Sequence, residues 1–242
     1  GDSLVKGLFD HNNISKAVCK ITNASEGFST TLYGIGFGAL IIANRHLFKR
    51  TGGELFVRTT HGEFTCPDVG KLKIHPIENR DMVIIQMPKD FPPFATKLEF
   101  RAPRASDKVK IVGTNFQEKY ISSLVSGVSA IYPVANSDFW KHWIKTDFGH
   151  CGLPVVSEID GFIVGIHSLA STQQNHNYFT GMIEHMNDLL TTAEQLEYTK
   201  LWKYNPREIS WGTLDLQNST PSEPFVLSKL LMDLEQTPVV EQ

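Results

Sequence analysis

The sequence predicts an all-β protein made of two successive β units, each a barrel or sandwich. Three observations carry that reading. Short β-branched or aromatic runs recur, separated by Gly, Asn or Pro turns, which is the rhythm of packed antiparallel strands and not of alternating strand and helix. A proline-rich stretch, Pro88-Lys89-Asp90-Phe91-Pro92-Pro93-Phe94, interrupts the series once. Helical periodicity appears only after both strand-rich blocks are complete.

Taken in order, the first block offers strands at Lys16 to Thr22, Leu32 to Ala43, Leu55 to Thr60, Glu63 to Cys66 and Met82 to Met87. Thr51-Gly52-Gly53 and His61-Gly62 read as turns between them. The prolines of 88–94 fix φ and remove backbone donors, so this segment starts the connection between the two units. The second block offers strands at Lys108 to Gly113, Ile121 to Ser126, His142 to Thr146, Leu153 to Ser157, Phe162 to His167 and Asn177 to Thr180. A helix is predicted over about Met182 to Lys200, with Leu189, Leu190, Ala193 and Leu196 along one face. Phe225 to Leu234 is a second, shorter helix with a leucine stripe that suits packing on its own protein better than a membrane.

Composition agrees with an ordinary globular chain. Of the 242 residues 41% are hydrophobic and 20% charged, which excludes a disordered or coiled-coil protein. The balance of 23 basic and 26 acidic residues, net −3, argues against a chain built mainly to neutralise phosphates. The three cysteines, Cys19, Cys66 and Cys151, are odd in number and far apart, so a reducing compartment is expected, with unpaired structural roles for Cys19 and Cys66. No stretch approaches the ~20 apolar residues that span a bilayer, so no membrane contact is expected. Gly1 and Gln242 suggest that both ends were made by cutting a longer chain.

One segment carries reactive chemistry. Thr146-Asp147-Phe148-Gly149-His150-Cys151-Gly152-Leu153-Pro154 places a thiol between glycines on a tight loop entering a strand. Gly149 lets successive N–H groups point into one concavity, as an oxyanion hole requires. A thiol nucleophile needs a base and a group that orients the base. Upstream lie His46, at the end of an apolar run, and Asp81, immediately before another. Singly, these are a loop histidine and a turn aspartate. In the order His46, Asp81, Cys151 they follow the order His, Asp, nucleophile of the two-barrel proteases. A papain-like pairing of Cys151 with His167 and Asn175 or Asn177 is weaker, because such a nucleophile opens a long helix and Cys151 is followed by Pro154 and β-branched residues. The spacing of His142, His150, Cys151 and His167 matches no compact zinc ligand set, and no metal or cofactor is expected. Nor is Gly34-Ile35-Gly36-Phe37-Gly38 a dinucleotide loop, since a strand follows it.

The runs Tyr33 to Gly38, Asn44-Arg45-His46-Leu47-Phe48, Arg80 to Ile85, Pro88 to Phe94, Phe139 to Ile144 and Gly149-His150-Cys151-Gly152 resemble, in order and spacing, the nuclear inclusion a proteases of potyviruses. The likeness extends over essentially the whole chain, through Ile209-Ser210-Trp211-Gly212. It implies a chymotrypsin-like two-β-barrel cysteine protease with short helices and a C-terminal extension. Residues 1–95 would carry His46 and Asp81, residues 96–205 would carry Cys151 and the pocket for glutamine, and 206–242 would be the extension covering the substrate site.

The resemblance also assigns roles. His46 would be the general base, Asp81 its orienting partner and Cys151 the nucleophile, with the backbone of Gly149, His150 and Cys151 around the oxyanion. Such proteases cut after Gln inside an extended sequence, and Thr146 and His167 match the donors to the Gln amide. Ser168, Leu169, Ala170 and Ser171, with Gln174, His176 and Tyr178, match the edge along which substrate adds as a strand; Ile209, Trp211 and Leu214 match further pocket walls. One departure stands out. Where relatives have Lys-Asp-Gly, this chain reads Asp147-Phe148-Gly149, so either Asp147 substitutes after a loop shift or selectivity at the Gln site is altered. Expected partners are peptide and polyprotein substrates, the chain's own C-terminus as product, and secondarily viral polymerase and RNA. A monomer in host cytoplasm and nucleus is implied. Val239-Val240-Glu241-Gln242 resembles the upstream half of a cleavage site, which predicts self-release at Gln242.

Overall fold

The computed structural model describes residues 11–50, 53–116, 122–146, 150–171, 175–200, 202–214 and 219–221. A short helix, α1 (Asn12–Ala17), leads into β1 (Val18–Ser25), β2 (Phe28–Phe37) and β3 (Leu40–Ala43). Then come β4 (Glu54–Thr59), β5 (Gly62–Cys66), β6 (Lys73–Pro76) and β7 (Val83–Gln86). These seven strands form one antiparallel sheet in the order β5-β4-β1-β2-β3-β7-β6.

The second sheet contains β8 (Lys108–Asn115), β9 (Ser122–Val125), β10 (Ser129–Ala130), β11 (Tyr132–Pro133) and β12 (Phe139–His142). It continues with β13 (Pro154–Ser157), β14 (Ile163–Ser171), β15 (Asn177–Gly181) and β16 (Ser219–Pro221). Its order is β10-β8-β13-β14-β15-β12-β11, with β9 on β8 and β16 on β14. All of its pairings are antiparallel as well.

Strand periodicity sorts the apolar residues into three clusters. Ile21, Leu32, Ile41, Leu55, Val83 and Ile85 pack inside the first sheet. Val109, Ile111, Val155, Val164 and Phe179 pack inside the second. Their neighbours in sequence, Ile42 and Ile84 from the first sheet and Val156, Ile163 and Ile166 from the second, meet in the seam between sheets. Because successive side chains of a strand point to opposite faces, β3 and β7 feed one core with odd-numbered residues and the seam with even-numbered ones. That is why Leu40-Ile41-Ile42-Ala43 and Val83-Ile84-Ile85 are unbroken apolar runs: both faces are buried.

The connection from Pro88 onward lies against the first sheet. Phe91 and Phe94 join its core, their rings 5.7 Å apart, and Leu98 and Phe100 then enter the seam. Gly36 makes room for Phe94, whose ring carbons would lie 2.2 Å from a Cβ at that position.

Two expectations are corrected. The helix predicted over Met182 to Lys200 shrinks to α2 (Met186–Thr191) and a 3-10 turn at Ala193–Gln195. Thr191 and Thr192 end α2, their hydroxyls donating to the Asp188 carbonyl, and further on Thr199 exchanges two backbone hydrogen bonds with Ile74. The leucine stripe is still used: Leu190 is buried in the seam, and Leu189, Ala193 and Leu196 pack against it. The strand predicted at His142 to Thr146 ends at His142, because the Ile144 N–H bonds to the His142 ring instead of a neighbouring strand. The helix predicted at Phe225 to Leu234 lies outside the described residues. Among the described residues no helix is long and apolar enough to cross a membrane.

Phe94→Ala should cost about 3–5 kcal/mol in urea unfolding, as deletion of a buried ring does. Gly36→Ala should cost about 1–3 kcal/mol by overpacking against that ring. Combined, the two should cost less than their sum, since the Ala methyl then enters the space vacated by Phe94. Strict additivity would show that the two positions do not share it.

Candidate active site

His46 sits on a 3-10 turn, Arg45–Phe48, that follows directly on β3. Asp81 lies on the other side of the same ladder, just before β7. Strand pairing of β3 with β7 therefore brings together two residues 35 positions apart. The His46 ring Nδ1 is 2.8 Å from Asp81 Oδ2, and the His46 backbone N–H donates to Asp81 Oδ1 at 3.2 Å. Both side chains are buried.

Cys151 comes from the second sheet, on the turn before β13. Its turn is clamped from both sides. The Cys151 carbonyl accepts the Tyr33 N–H of β2 at 2.7 Å, and the Gly152 N–H donates to the His167 carbonyl of β14 at 2.8 Å. Gly152 has φ +88°, and a Cβ there would lie 1.8 Å from the Tyr33 carbonyl oxygen, so only glycine fits. The Cys151 Sγ stands 3.0 Å from the Ser168 carbonyl, and the sulfur acts electrostatically on the His46 ring.

The electrostatics follow from burial and these partners. Burial alone would raise the Asp81 pKa, but the His46 charge, the two His46 N–H groups and the Asn44 amide hold it below its ordinary value. Burial likewise pushes His46 down, yet Asp81 and the Cys151 sulfur outweigh it and pull the imidazole up to about 10. A buried imidazole held this basic by a carboxylate, with a thiol beside it, is an arrangement able to support nucleophile and base chemistry.

Asn44, two residues before His46, escaped the sequence reading. Its Nδ2 is 3.2 Å from Asp81 Oδ2, 3.0 Å from Ser168 Oγ and 3.4 Å from the His167 carbonyl. It therefore ties the carboxylate of the first sheet to β14 of the second. Its only sequence signal is a polar residue closing an apolar run.

The other predicted residues divide into groups. Thr146 accepts from the Asn177 side chain at 3.0 Å, and together with Tyr33, His150 and Leu153 it lines a cleft of about 260 Å³ beside Cys151. His167 and Ser168 are both fully buried, at a bulge where β14 slips register against β15. Ser168 Oγ is engaged by Asn44, the Ile166 carbonyl and Thr180, so only its backbone can meet a peptide. Leu169, Tyr178, Ile209 and Leu214 are buried in the cluster that also holds Cys151, and Trp211 stacks on Phe139 at 5.4 Å. His176 bonds the Tyr178 hydroxyl at 2.7 Å. Leu169, Ala170 and Ser171 pair with Pro221, Thr220 and Ser219 of the same chain, so the edge predicted to receive substrate is occupied by β16. Phe148, Gly149, Gln174 and the chain ends lie outside the described residues. Among the described residues no three His, Cys, Asp or Glu side chains gather as a metal site.

Two antiparallel β units that meet across a buried carboxylate, imidazole and thiol define a chymotrypsin-like cysteine endopeptidase. Residues 1–232 match peptidase family C4, and the chain belongs to that family. The tobacco vein mottling virus protease is 48% identical, with a TM-score of 0.82 over 86% of this chain and 96% of that one. Tobacco etch virus protease, solved in complex with product, is 50% identical, with a TM-score of 0.80 over 85% and 90% of the two chains. The genome polyprotein of turnip mosaic virus (strain Japanese) is 49% identical over all 242 residues. This chain spans 8% of that polyprotein's length. The chain is thus similar throughout to potyvirus nuclear inclusion a proteases.

Gly152→Ala should drive a methyl into the Tyr33 carbonyl and unseat the thiol; we expect peptidase activity to fall below detection and the melting temperature to drop. A second prediction concerns acid. Burial drops His142 to about 3 and His167 well below its ordinary value. The unfolded chain takes up these protons near pH 6.5 and the folded one does not. Stability from these two groups is present above pH 6.5 and lost as pH falls, by about 1.4 kcal/mol per unit for each histidine. Urea midpoints measured from pH 7 to 4.5 check it, and replacing His142 should flatten the slope.

Proposed function

We propose that this endopeptidase cuts a viral polyprotein after glutamine, with Cys151 as nucleophile, His46 as general base and Asp81 as its orienting partner. The observation that carries the proposal is the buried line from Asp81 through His46, at 2.8 Å, to the Cys151 sulfur. The Cys151 thiolate attacks the scissile carbonyl carbon while His46 holds the proton. The oxyanion meets backbone N–H groups of the turn through His150 and Cys151. Collapse breaks the C–N bond, His46 protonates the departing amine, and a thioester remains on Cys151. Water then gives a proton to His46 and adds to the thioester, releasing the acid and regenerating the thiol.

Glutamine selectivity fits a site whose polar groups would be left unpaired by an apolar side chain. His167, neutral through burial, and Thr146 are the groups that would meet the Gln amide. A peptide extending upstream of Gln would add to β14 at Leu169 to Ser171, and has to displace Ser219–Pro221 to do so. Tobacco etch virus protease has been solved with substrate and with product, which supports binding of a peptide here.

A peptide Thr-Pro-Val-Val-Glu-Gln/Gly, which joins the chain's last six residues to its first, should be cleaved at the slash. Cys151→Ala should abolish cleavage, and retained turnover would remove Cys151 from its role. Asp81→Asn should slow kcat/KM roughly 10⁴-fold, by analogy with serine triads. It should also move the alkaline limb, near pH 10 for the raised His46, to lower pH, because without the carboxylate burial dominates and His46 falls. Replacing the terminal Gln of the peptide by Glu or Ala should cost most of the activity; equal turnover would refute a Gln pocket.

A second reading, RNA or polymerase binding, draws on a groove of the first sheet lined by the exposed Lys71, Lys73, Lys89 and Lys200. Asp68 and Asp90 share the groove and the net charge is −3, so such binding would be weak and would vanish as salt rises.

A further inference from the structure

The histidine that would read the glutamine amide does not stand alone. β12 ends at His142, whose ring is fully buried beside that of His167, with centroids 5.4 Å apart. The Ile144 backbone N–H lies 3.1 Å from His142 Nδ1. A backbone N–H can only donate, so Nδ1 must carry a lone pair. A neutral imidazole has one ring proton, and it therefore sits on His142 Nε2. That nitrogen is 3.3 Å from His167 Nδ1. Since His142 Nε2 donates, His167 Nδ1 must accept, and the His167 proton is left on Nε2.

A single peptide N–H thus sets the tautomers of two rings in series. The opposite arrangement would put the His142 proton on Nδ1, against the Ile144 N–H, with two hydrogens facing one another. A second proton on either ring meets a comparable conflict. Protonated His142 would again face Ile144, and protonated His167 would point Nδ1–H at His142 Nε2–H. The surrounding titratable groups add to the resistance: His46 and His150 stand near His167, and His176 near His142.

We propose that His142 is a positioning residue that locks His167 as the neutral, Nε2-protonated tautomer and thereby makes the pocket select glutamine over glutamate. The role in selectivity rests on the glutamine reading above. A fixed N–H donor satisfies the carbonyl oxygen of a Gln amide. A Glu carboxylate meets the same donor but brings a negative charge into a buried site where both imidazoles stay neutral. Were His167 free to protonate, it would welcome that carboxylate as an ion pair. His142 withholds that option.

Nitrogen-15 NMR of histidine-labelled, full-length Cys151→Ala protein should show His167 with a bare Nδ1 and a protonated Nε2 at pH 7, unchanged down to pH 5. In otherwise active chain, His142→Phe should lower kcat/KM for the Gln peptide about ten- to a hundredfold, mainly through KM. It should also raise the Glu-to-Gln turnover ratio as pH falls, because burial, the larger cause that keeps His167 neutral, is then no longer reinforced by the His142 N–H. His142→Gln, whose amide can donate to the same nitrogen, should restore both. An imidazolium or a bare Nε2 at His167, or an unchanged Gln/Glu ratio in folded His142→Phe, overturns the proposal. If His142→Phe does not fold, the wild-type tautomer pattern decides alone. If that pattern is found but the wild-type enzyme does not prefer Gln, the pocket assignment falls, and the selectivity role of His142 with it.

Discussion

A carboxylate sealed between two β-sheets is the constraint on which the rest of this structure depends. Asp81 is 1% exposed, and an unpaired charge so placed would cost several kcal/mol. It is tolerated because three donors converge on two oxygens: the His46 ring, the His46 backbone and the amide of Asn44, which also reaches Ser168 of β14. The first pair comes from the Asp81 sheet itself. The Asn44 amide makes the second sheet part of the same arrangement, so docking of the sheets and ionisation of Asp81 support each other. The raised basicity of His46 follows from that carboxylate and from the Cys151 sulfur beside it.

Much of this was legible in the sequence, for a physical reason. Strands buried on both faces need unbroken β-branched runs, and Leu40-Ile41-Ile42-Ala43 and Met82-Val83-Ile84-Ile85 announce themselves; the polar residues that close them, His46 and Asp81, are then conspicuous. Cys151 is legible because only glycine can flank it where Tyr33 passes so close. Three features were not legible. The long helix after Met182 failed because threonine hydroxyls and a bridge to Ile74 outcompeted a continuous leucine stripe. The occupancy of β14 by Ser219–Pro221 is a pairing between distant segments, which local pattern does not encode. Asn44 and His142 act through atoms of residues far away in sequence, and each looks alone like an ordinary polar residue at a strand end.

The segment after Tyr204 shows how a short, irregular stretch can still carry weight. Ile209 bridges to Asn79 of the first half, and Trp211 bridges to Ser137 of the second while stacking on Phe139. Arg45, next to His46, is anchored by Glu208 and by the Ile77 carbonyl and lies under the Trp202 ring. These contacts link the two sheets a second time, besides the Asn44 link.

The clamp of the Cys151 turn on Tyr33 has a temporal meaning. The thiol belongs to one sheet and the buried imidazole and carboxylate to the other, and the backbone bond from β2 to the turn exists only once the sheets have docked. A ribosome that has released the first hundred residues has made His46 and Asp81 but not yet Cys151. The closed grouping of carboxylate, imidazole and thiol is therefore a product of docking, and it is available only after the second sheet has been made and has met the first.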